Sequence, residues 1–571
     1  MALAWILGLV VWLAGGTGWS FPADQAIEHI LPTARATLSQ THVSWVDAGG
    51  RTVTGFHPAA SYPPLYARDT AWIVTAARTL YPPAEWQPGI EAFLRRQYTA
   101  QTTSDDDGWP AGVGALPGVL HADGRIDKAS ATSDEETSLI EAAAAVVDLA
   151  GPAWLTSTLS DDNRVAGPRV IDRLDAALDW LWRTRVDAAS GLIWRGHTTD
   201  WGDVTLDATA PDRTDIDPAR AIRTASIYDQ VLAWRAANHL AAWWETVGDA
   251  TAAQRWRARA SAVRGAANRA LWQPNRGFYR LHVHLPGPDG EPPWQHNFDE
   301  GRILAIGNAV AVWAGFTSPP QTRSILDKLA EAQLAAGQLQ PGLSLWRPYG
   351  SWTFPYPEMQ WGLYQNGGLW DWWAGVQVLA EFEAGDAARG LLHLRQLART
   401  WDVQGGHIPE WRSLVDGAPS AAHDYAAAAA TVMQATVQGL YGVAWPDHDR
   451  LRLTVRLGEY PGTITVALPG TDRQVWYDYR PTSAALHLAY RTTSVGAFPL
   501  WLRLPPGQEA AAVQLDDSPR TFTVEQVGRD RFVALEGLPG QHQVTIRTVA
   551  SRPWWQQLLQ RWRFLREPAA G

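Results

Sequence analysis

At 571 residues the chain exceeds one ordinary core, since single cores rarely grow past roughly 250 to 300 residues, and a large domain with one smaller companion is expected. A formal net charge of −10 offers no electrostatic handle for polyanions, which argues against nucleic acid as a partner, and the absence of cysteine excludes disulfide frameworks and thiolate chemistry. The 33 tryptophans exceed what core filling ordinarily uses, so part of the excess is expected to line an aromatic cleft.

In chain order, residues 1–20 hold an apolar run (Leu3, Trp5, Ile6, Leu7, Leu9, Val10, Val11, Trp12, Leu13) ending in Gly15, Gly16 and Gly18. The run is shorter than the roughly 20 residues a membrane span needs, and its amino end carries no Lys or Arg. It reads as a signal peptide or N-terminal anchor, and the expected location is extracytoplasmic: secreted, periplasmic or membrane-anchored.

From about Tyr62 to Trp445 the sequence reads as helix after helix, Ala-rich and amphipathic, separated by loops carrying Gly, Pro, Asp and Trp. Helices are predicted over Pro64–Leu80, Glu85–Gln101, Asp134–Leu149, Pro168–Thr184, Ala225–Val247, Ala250–Leu271, Gly301–Gly315, Pro320–Ala336, Gly368–Glu383, Ala387–Trp401 and Ala421–Val443. In the segment after Ser226, Ile227, Val231 and Trp234 share one stripe. Beyond Trp445 the texture changes to alternating β-branched runs, Leu451–Leu457, Thr463–Ala467, Ala485–Tyr490 and Gln543–Arg547, with Pro-Gly turns between them, and a β-sandwich is expected. The tail mixes Trp554, Trp555 and Trp562 with Arg561, Arg563 and Arg566, a pattern that suits docking on the protein or lying on a membrane surface. The expected division is 1–20 leader, 21–445 helical domain, 446–550 β-sandwich and 551–571 tail.

Asp69 lies on the same helical stripe as Leu65, Trp72 and Ala76, so its carboxylate needs either a cation such as Arg68 or a polar cavity. In Trp194–Val204 two carboxylates, Asp200 and Asp203, crowd two indoles, and such crowding favours the protonated form that a general acid needs. Thr132, Ser133, Glu135 and Glu136 fit a capping box at a helix start. The stretch Tyr364–Trp373, with Gln365, Asn366, Trp370 and Asp371, is followed by His407-Ile408-Pro409-Glu410-Trp411, which sets a carboxylate among aromatic rings. Sugar recognition needs that combination, because a pyranose offers an apolar face and a rim of hydroxyls while acetal cleavage needs carboxylates to move protons. His197, His296, His407 and His423 fall in no metal-ligand spacing, and there is no Gly-rich phosphate loop, so neither metal nor nucleotide cofactor is expected.

Together these motifs resemble the six-hairpin glycosidases, and among them are most similar to the glycogen-debranching amylo-α-1,6-glucosidases and the glucoamylases. The resemblance implies a mainly α fold, an (α/α)6 toroid of helical hairpins, and a glycoside hydrolase of inverting mechanism whose substrate is an oligo- or polysaccharide, α-glucosides first. Arg68-Asp69-Thr70 resembles the Arg-Asp-Thr signature that binds the non-reducing sugar. Trp201-Gly202-Asp203 is similar to the Trp-Met-Asp segment that supplies the general acid, which points to Asp203 over Asp200. Tyr364-Gln365-Asn366-Gly367 with Trp370 resembles Tyr-His-Asn-Gly-x-x-Trp, with Gln365 in the place of His and Asp371 in the place of Pro. Gly406-His407-Ile408-Pro409-Glu410 resembles the segment that provides the general base, Glu410. The implied sugar contacts are Arg68, Asp69, Trp201, Gln365, Asn366, Trp370, His407 and Trp411, on loops that follow the inner helices. A phosphorylase on the same fold and a non-catalytic carbohydrate-binding envelope protein are the competing expectations.

Overall fold

The structure, a computed structural model, describes residues 25–551 except 100–103, 105–110, 129–131, 160–168, 204–220, 288–289, 296–297, 351–352, 355 and 448–449. The leader, the tail beyond residue 551 and His296 therefore lie outside the described residues. Among those described, no helix is long and apolar enough to cross a membrane.

The helices are α1 (Gln25–Thr41), α2 (Ala67–Ala77), α3 (Gln87–Arg95), α4 (Glu135–Ala150), α5 (Ala153–Thr156), α6 (Val170–Arg185), α7 (Ile227–Val247), α8 (Ala250–Ala270), α9 (Gly307–Trp313), α10 (Pro319–Ala335), α11 (Asp371–Glu383), α12 (Ala387–Val403) and α13 (Ala426–Gln434). Six of them touch in a closed circuit: α2 packs on α4, α4 on α7, α7 on α9, α9 on α11, α11 on α13, and α13 returns to α2. The others brace this ring from outside, as α8 does on α7, α12 on α11, and α1 on α12 and α13. Small side chains permit the close approach. Ala426 to Ala430 of α13 are fully buried, and a Cβ at Gly375 of α11 would sit 2.4 Å from the Thr431 carbonyl carbon. The axis of the ring is filled by indoles: Trp72 lies 4.9 Å from Trp313 and 5.4 Å from Trp373, and Trp372 stacks on Trp373 at 4.6 Å.

Two expectations need correction, and one helix lies outside those expected. Helix α1 was not foreseen, because Pro32 interrupts its sequence, yet Ile27, Ile30, Ala34 and Leu38 form a buried stripe that holds it against the ring. The helix expected from Gly301 begins only at Gly307, since Glu300–Arg302 is a 3-10 turn and Leu304–Ala305 pairs with Leu345–Trp346. The last helix starts five residues later than expected and its Ala435–Leu440 extension is a π-helix.

Residues 443–550 form two sheets. One has five strands in the order Val443–Asp447, Arg450–Val455, Phe498–Arg503, Asp530–Gly537, Thr523–Val527; its second and third are parallel. The other has six, from Gly462–Ala467 through Gln474–Pro481, Ala485–Thr492, Gly540–Ala550 and Gln508–Leu515 to Ser518–Pro519, all antiparallel. Alternation buries Val475, Tyr477 and Tyr479 on one strand and Leu486, Leu488 and Tyr490 on the next, as a half-covered sheet requires. The Ala387 amide at the start of α12 donates to Asp530 at 2.8 Å, and Arg529 pairs with Asp386 at 2.6 Å, which ties sheet to helices.

Candidate active site

The first turns of four of the six ring helices, and the residues just before them, converge on a cavity of about 540 Å³. It is lined by Tyr66, Arg68 and Asp69 at the start of α2, Asp134 and Glu135 at the start of α4, Trp370 and Trp372 at the start of α11, and Tyr425 just before α13. Loops that precede the inner helices thus build the site, not the loops that follow them. Helix N-termini carry partial positive charge, which favours carboxylates at this end of the ring. Asp203, Gln365, Trp201, Tyr62, Tyr364 and Glu410 complete the lining.

Arg68 is the central cation. Its Nε and Nη2 donate to the two oxygens of Asp134 at 2.5 and 3.1 Å, and its Nη1 lies 3.6 Å from Asp203. Burial opposes the charge of Asp134, but Arg68 and Arg195 outweigh it and hold that carboxyl below its usual range. Asp69 pairs instead with Tyr425, whose hydroxyl donates to it at 2.7 Å. Burial pushes the Asp69 carboxyl up to about 6; the Tyr425 bond and Arg68 oppose the rise and Asp203 adds to it.

Asp203 sits at the end of a turn that the sequence builds tightly. Arg195, fully buried, donates to the carbonyl of Asp200 at 3.1 Å and to that of Gly202 at 2.5 Å. Gly202 is required there, since a Cβ would come within 2.4 Å of Gln365 Oε1 and 2.6 Å of Thr199 Oγ1. Gln365 then clamps Asp203, accepting from its amide at 3.2 Å and donating to its carboxylate at 2.7 Å. Asp200, the rival acid, points elsewhere. Its carboxylate accepts from the Gly307 amide at 2.8 Å at the start of α9, and burial with the nearby charge of Asp229 pushes it up to about 7.

Glu410 accepts from the Tyr62 hydroxyl at 2.7 Å and from the Ala422 amide at 3.4 Å. Burial pushes its carboxyl up to about 7; those two hydrogen bonds resist the rise, and the charges of Asp69 and Asp203 add to it. The two motifs that carry Gln365 and Glu410 are joined: Leu369 and Arg412 exchange backbone hydrogen bonds at 2.8 Å, and Arg412 donates to Asp371 at 2.6 Å. Asp371 also accepts from the Trp401 indole at 2.8 Å, which makes it a structural carboxylate.

Seven of the ten residues expected in the site line one cavity: Arg68, Asp69, Trp201, Asp203, Gln365, Trp370 and Glu410. Three do not. Asn366 gives its amide group to the carbonyls of Tyr349 and Met359 and its oxygen to the Tyr349 amide, so its polar capacity is used to shape the loop. His407 is exposed and pairs with Asp424 at 3.1 Å. Trp411 is buried 5.7 Å from Tyr364, behind the wall that Tyr364 forms. The capping box at α4 also does not form: Thr132 Oγ1 donates to the Glu135 carboxylate, Ser133 to Asp229, and Glu136 accepts from the Leu116 amide and from Lys128.

Sequence reasoning missed Tyr62 and Tyr425, whose hydroxyls donate to Glu410 and Asp69, Tyr66, which lines the same cavity, and Asp134, hidden in a capping-like pattern. Trp201 packs edge-on against Trp370 at 4.7 Å and lies under Arg68, so these two indoles form one wall.

No protein-family model matches this sequence, and no curated protein matches it. Solved structures do match. An α-L-rhamnosidase from Streptomyces avermitilis, complexed with L-rhamnose, is 12% identical with a TM-score of 0.56, over 92% of this chain and 41% of that one. A GH78 family rhamnosidase of Bacillus sp. GL1 is 13% identical with a TM-score of 0.52, over 81% of this chain and 40% of that one. A GH63 mannosylglycerate hydrolase from Thermus thermophilus gives 15% identity and a TM-score of 0.48, over 71% of this chain and 100% of that one. The chain spans about two fifths of the rhamnosidases' length, and at these identities the likeness is one of fold. The fold is thus one used by glycoside hydrolases.

Proposed function

We propose that the protein is a glycoside hydrolase whose helical region is an (α/α)6 toroid followed by a β-sandwich, and that it cleaves with inversion, Asp203 acting as general acid and Glu410 as general base. The observation that carries this reading is the convergence of Asp203, Glu410, Asp69 and Arg68 on one cavity walled by Trp201, Trp370, Trp372 and tyrosines. Such a cavity matches a pyranose, with aromatic faces for the ring, and Arg68 and Asp69 for its hydroxyls. Asp203 would protonate the glycosidic oxygen, held in place by Gln365, while Glu410 takes a proton from water. Inversion requires the two carboxyl groups to stand roughly 6.5 to 9.5 Å apart with water between them. The motif resemblance to debranching enzymes and glucoamylases makes α-glucosides the first substrates to test.

One observation favours a second reading with the roles exchanged. A carboxyl raised to about 7 is protonated through much of the neutral range, which suits Glu410 as acid, while Asp203 beside Arg68 would serve as base.

The experiment is a hydrolysis screen on aryl glycosides of different sugars, with the product anomer followed by NMR. Inversion of the anomeric centre is expected. Retention would overturn the mechanism, phosphate-dependent turnover would make the protein a phosphorylase, and binding without turnover would make it a sugar-binding protein. Asp203→Asn then separates the two role assignments: as acid, its loss is severe on poor leaving groups and mild on nitrophenolate, whereas equal losses place the acid elsewhere.

A further inference from the structure

Away from the cavity lining, His197, His282, His284 and Glu300 gather so that one nitrogen or carboxylate oxygen from each lies within 4.8 Å of the others. A small sheet assembles them. His282–His284 pairs with Arg223–Ser226, which pairs with Arg195–Gly196, and His197 follows directly. Alternation along the strand sends His282 and His284 to the same side, and the 3-10 turn Glu300–Arg302 brings Glu300 beneath them. His197, His282 and Glu300 are buried, and the His284 side chain keeps 10% exposure. Trp294, Tyr349 and Phe354 enclose the His197 ring, at centroid distances of 5.2, 6.1 and 6.2 Å.

The hydrogen bonds sort these four by role. The Asp200 amide can only donate, and it faces His282 Nε2 at 3.3 Å, so that nitrogen accepts and the neutral ring carries its proton on Nδ1. His282 Nδ1 then faces Glu300 Oε1 at 3.5 Å, and Tyr349 donates to the same oxygen at 2.5 Å. Both His282 nitrogens are thereby engaged. The other Glu300 oxygen, Oε2, faces His284 Nε2 at 2.8 Å, and the His197 ring stacks on His284 at 5.2 Å.

We propose that His197, His284 and Glu300 bind a divalent transition-metal ion of the zinc class, with His282 and Tyr349 as outer partners that orient the Glu300 carboxylate. Two imidazoles and a carboxylate form a borderline donor set suited to such ions, and a carboxylate oriented by an imidazole N–H and a phenol is the kind of outer shell these sites use. The ion braces rather than reacts. His282 links it to the Asp200 amide, and Asp200 holds the start of α9 through Gly307, three residues before Asp203. The site therefore stiffens the turn that presents Asp203 to the cavity.

The test is metal analysis of the untagged full chain, grown with zinc and freed of loose ions by gel filtration. Mass spectrometry should find about one equivalent of zinc-class metal per chain. Glu300→Gln and His284→Ala should lower it to background, whereas Asp203→Asn should keep it. X-ray absorption at the metal edge should show nitrogen and oxygen donors only. Should the variants misfold, the wild-type chain stripped by chelator and reloaded with Co2+ should gain visible d–d bands, and its melting temperature should rise on reloading. Metal at background in the wild type, with no change in melting on adding Zn2+, Co2+ or Mn2+, would overturn the site and leave a hydrogen-bonded histidine cluster. Stoichiometric metal that survives in Glu300→Gln would place the ion elsewhere and overturn it as well.

Discussion

The ring of helices has two ends, and each holds a cavity of similar size, about 540 Å³ at the N-terminal ends and about 520 Å³ toward the C-terminal ends. The second is lined by Arg78 just past α2, Glu141 and Asp148 of α4, Arg235 and His239 of α7, Trp313 at the end of α9, Glu383 at the end of α11, and Arg452. There each carboxylate has a guanidinium: Glu141 takes two bonds from Arg235 at 2.7 and 2.8 Å, Asp148 one from Arg78 at 3.0 Å, and Glu383 one from Arg452 at 3.1 Å. Burial opposes the charge of Glu141, but Arg235 outweighs it and holds the carboxyl well below its usual range; Asp148 is raised, by burial that Arg78 does not fully offset. At the other end Arg68 is engaged by Asp134 and Asp203, and Asp69 and Glu410 accept from tyrosines instead of cations. Under the proposed function, cavity size alone therefore does not mark the reactive end. The mark is carboxylates left without cations beside helix N-termini, where burial raises them into the range in which protons move.

The largest expected difference between the two ends is in turnover. Glu410→Gln should lower kcat roughly 10²- to 10⁴-fold, while Glu383→Gln at the opposite cavity should change it by less than about threefold because the sites are distant and independent. Similar losses in both, with both variants folded, would mean that the two ends do not differ in function.

Stability should show the opposite order. An unfolded glutamate titrates near 4.5 and folded Glu410 near 7, so between those values the folded chain binds more protons and loses stability as pH rises. Glu410→Gln removes this loss. It should match the wild type below about pH 4.5 and exceed it by up to roughly 3 kcal/mol above about pH 7, read by denaturant melts across pH; equal stabilities at both extremes would contradict the raised carboxyl. Glu141→Gln breaks a largely buried ion pair and leaves Arg235 uncompensated, so it should cost about 2 kcal/mol at neutral pH once partial exposure is allowed for. A neutral effect would show that solvent already screens that end.

The residues legible in the sequence are those whose neighbours in the chain are also their neighbours in space. Arg68 with Asp69, Trp201 with Asp203, and Gln365 with Trp370 each form a local pattern, and Glu410 stands in the chain beside Pro409 and Trp411. The tyrosines at 62, 66 and 425 form no such pattern, because they meet only once the helix starts converge. Local reading also passed over Asp134 and misassigned Asn366, whose partners are distant: Asp134 turns to Arg68 and Tyr228, and Asn366 to the backbone of Tyr349. The alternation of His282 and His284 was a readable signal, two residues apart on a strand, but Glu300 and His197 reach them only through the sheet. The helical texture was clear because apolar stripes repeat; helix α1 was hidden by its proline.

The smallest effect is the most discriminating. Tyr62→Phe removes the hydroxyl that donates to Glu410 at 2.7 Å, a bond that favours the ionised carboxylate and so resists the rise caused by burial. Without it the Glu410 carboxyl should rise further, by about one pH unit, since a hydrogen bond to a charged group is worth roughly 1.5 kcal/mol. The consequence depends on the role. If Glu410 is the base, it must be ionised to act, so the acidic limb of the kcat/KM profile should move to higher pH while the rate at alkaline pH stays within about fivefold of the wild type. If Glu410 is the acid, the alkaline limb should move up instead and activity should extend to higher pH. A profile unchanged on both limbs would remove Glu410 from proton transfer altogether and leave the N-terminal cavity no more reactive than its counterpart.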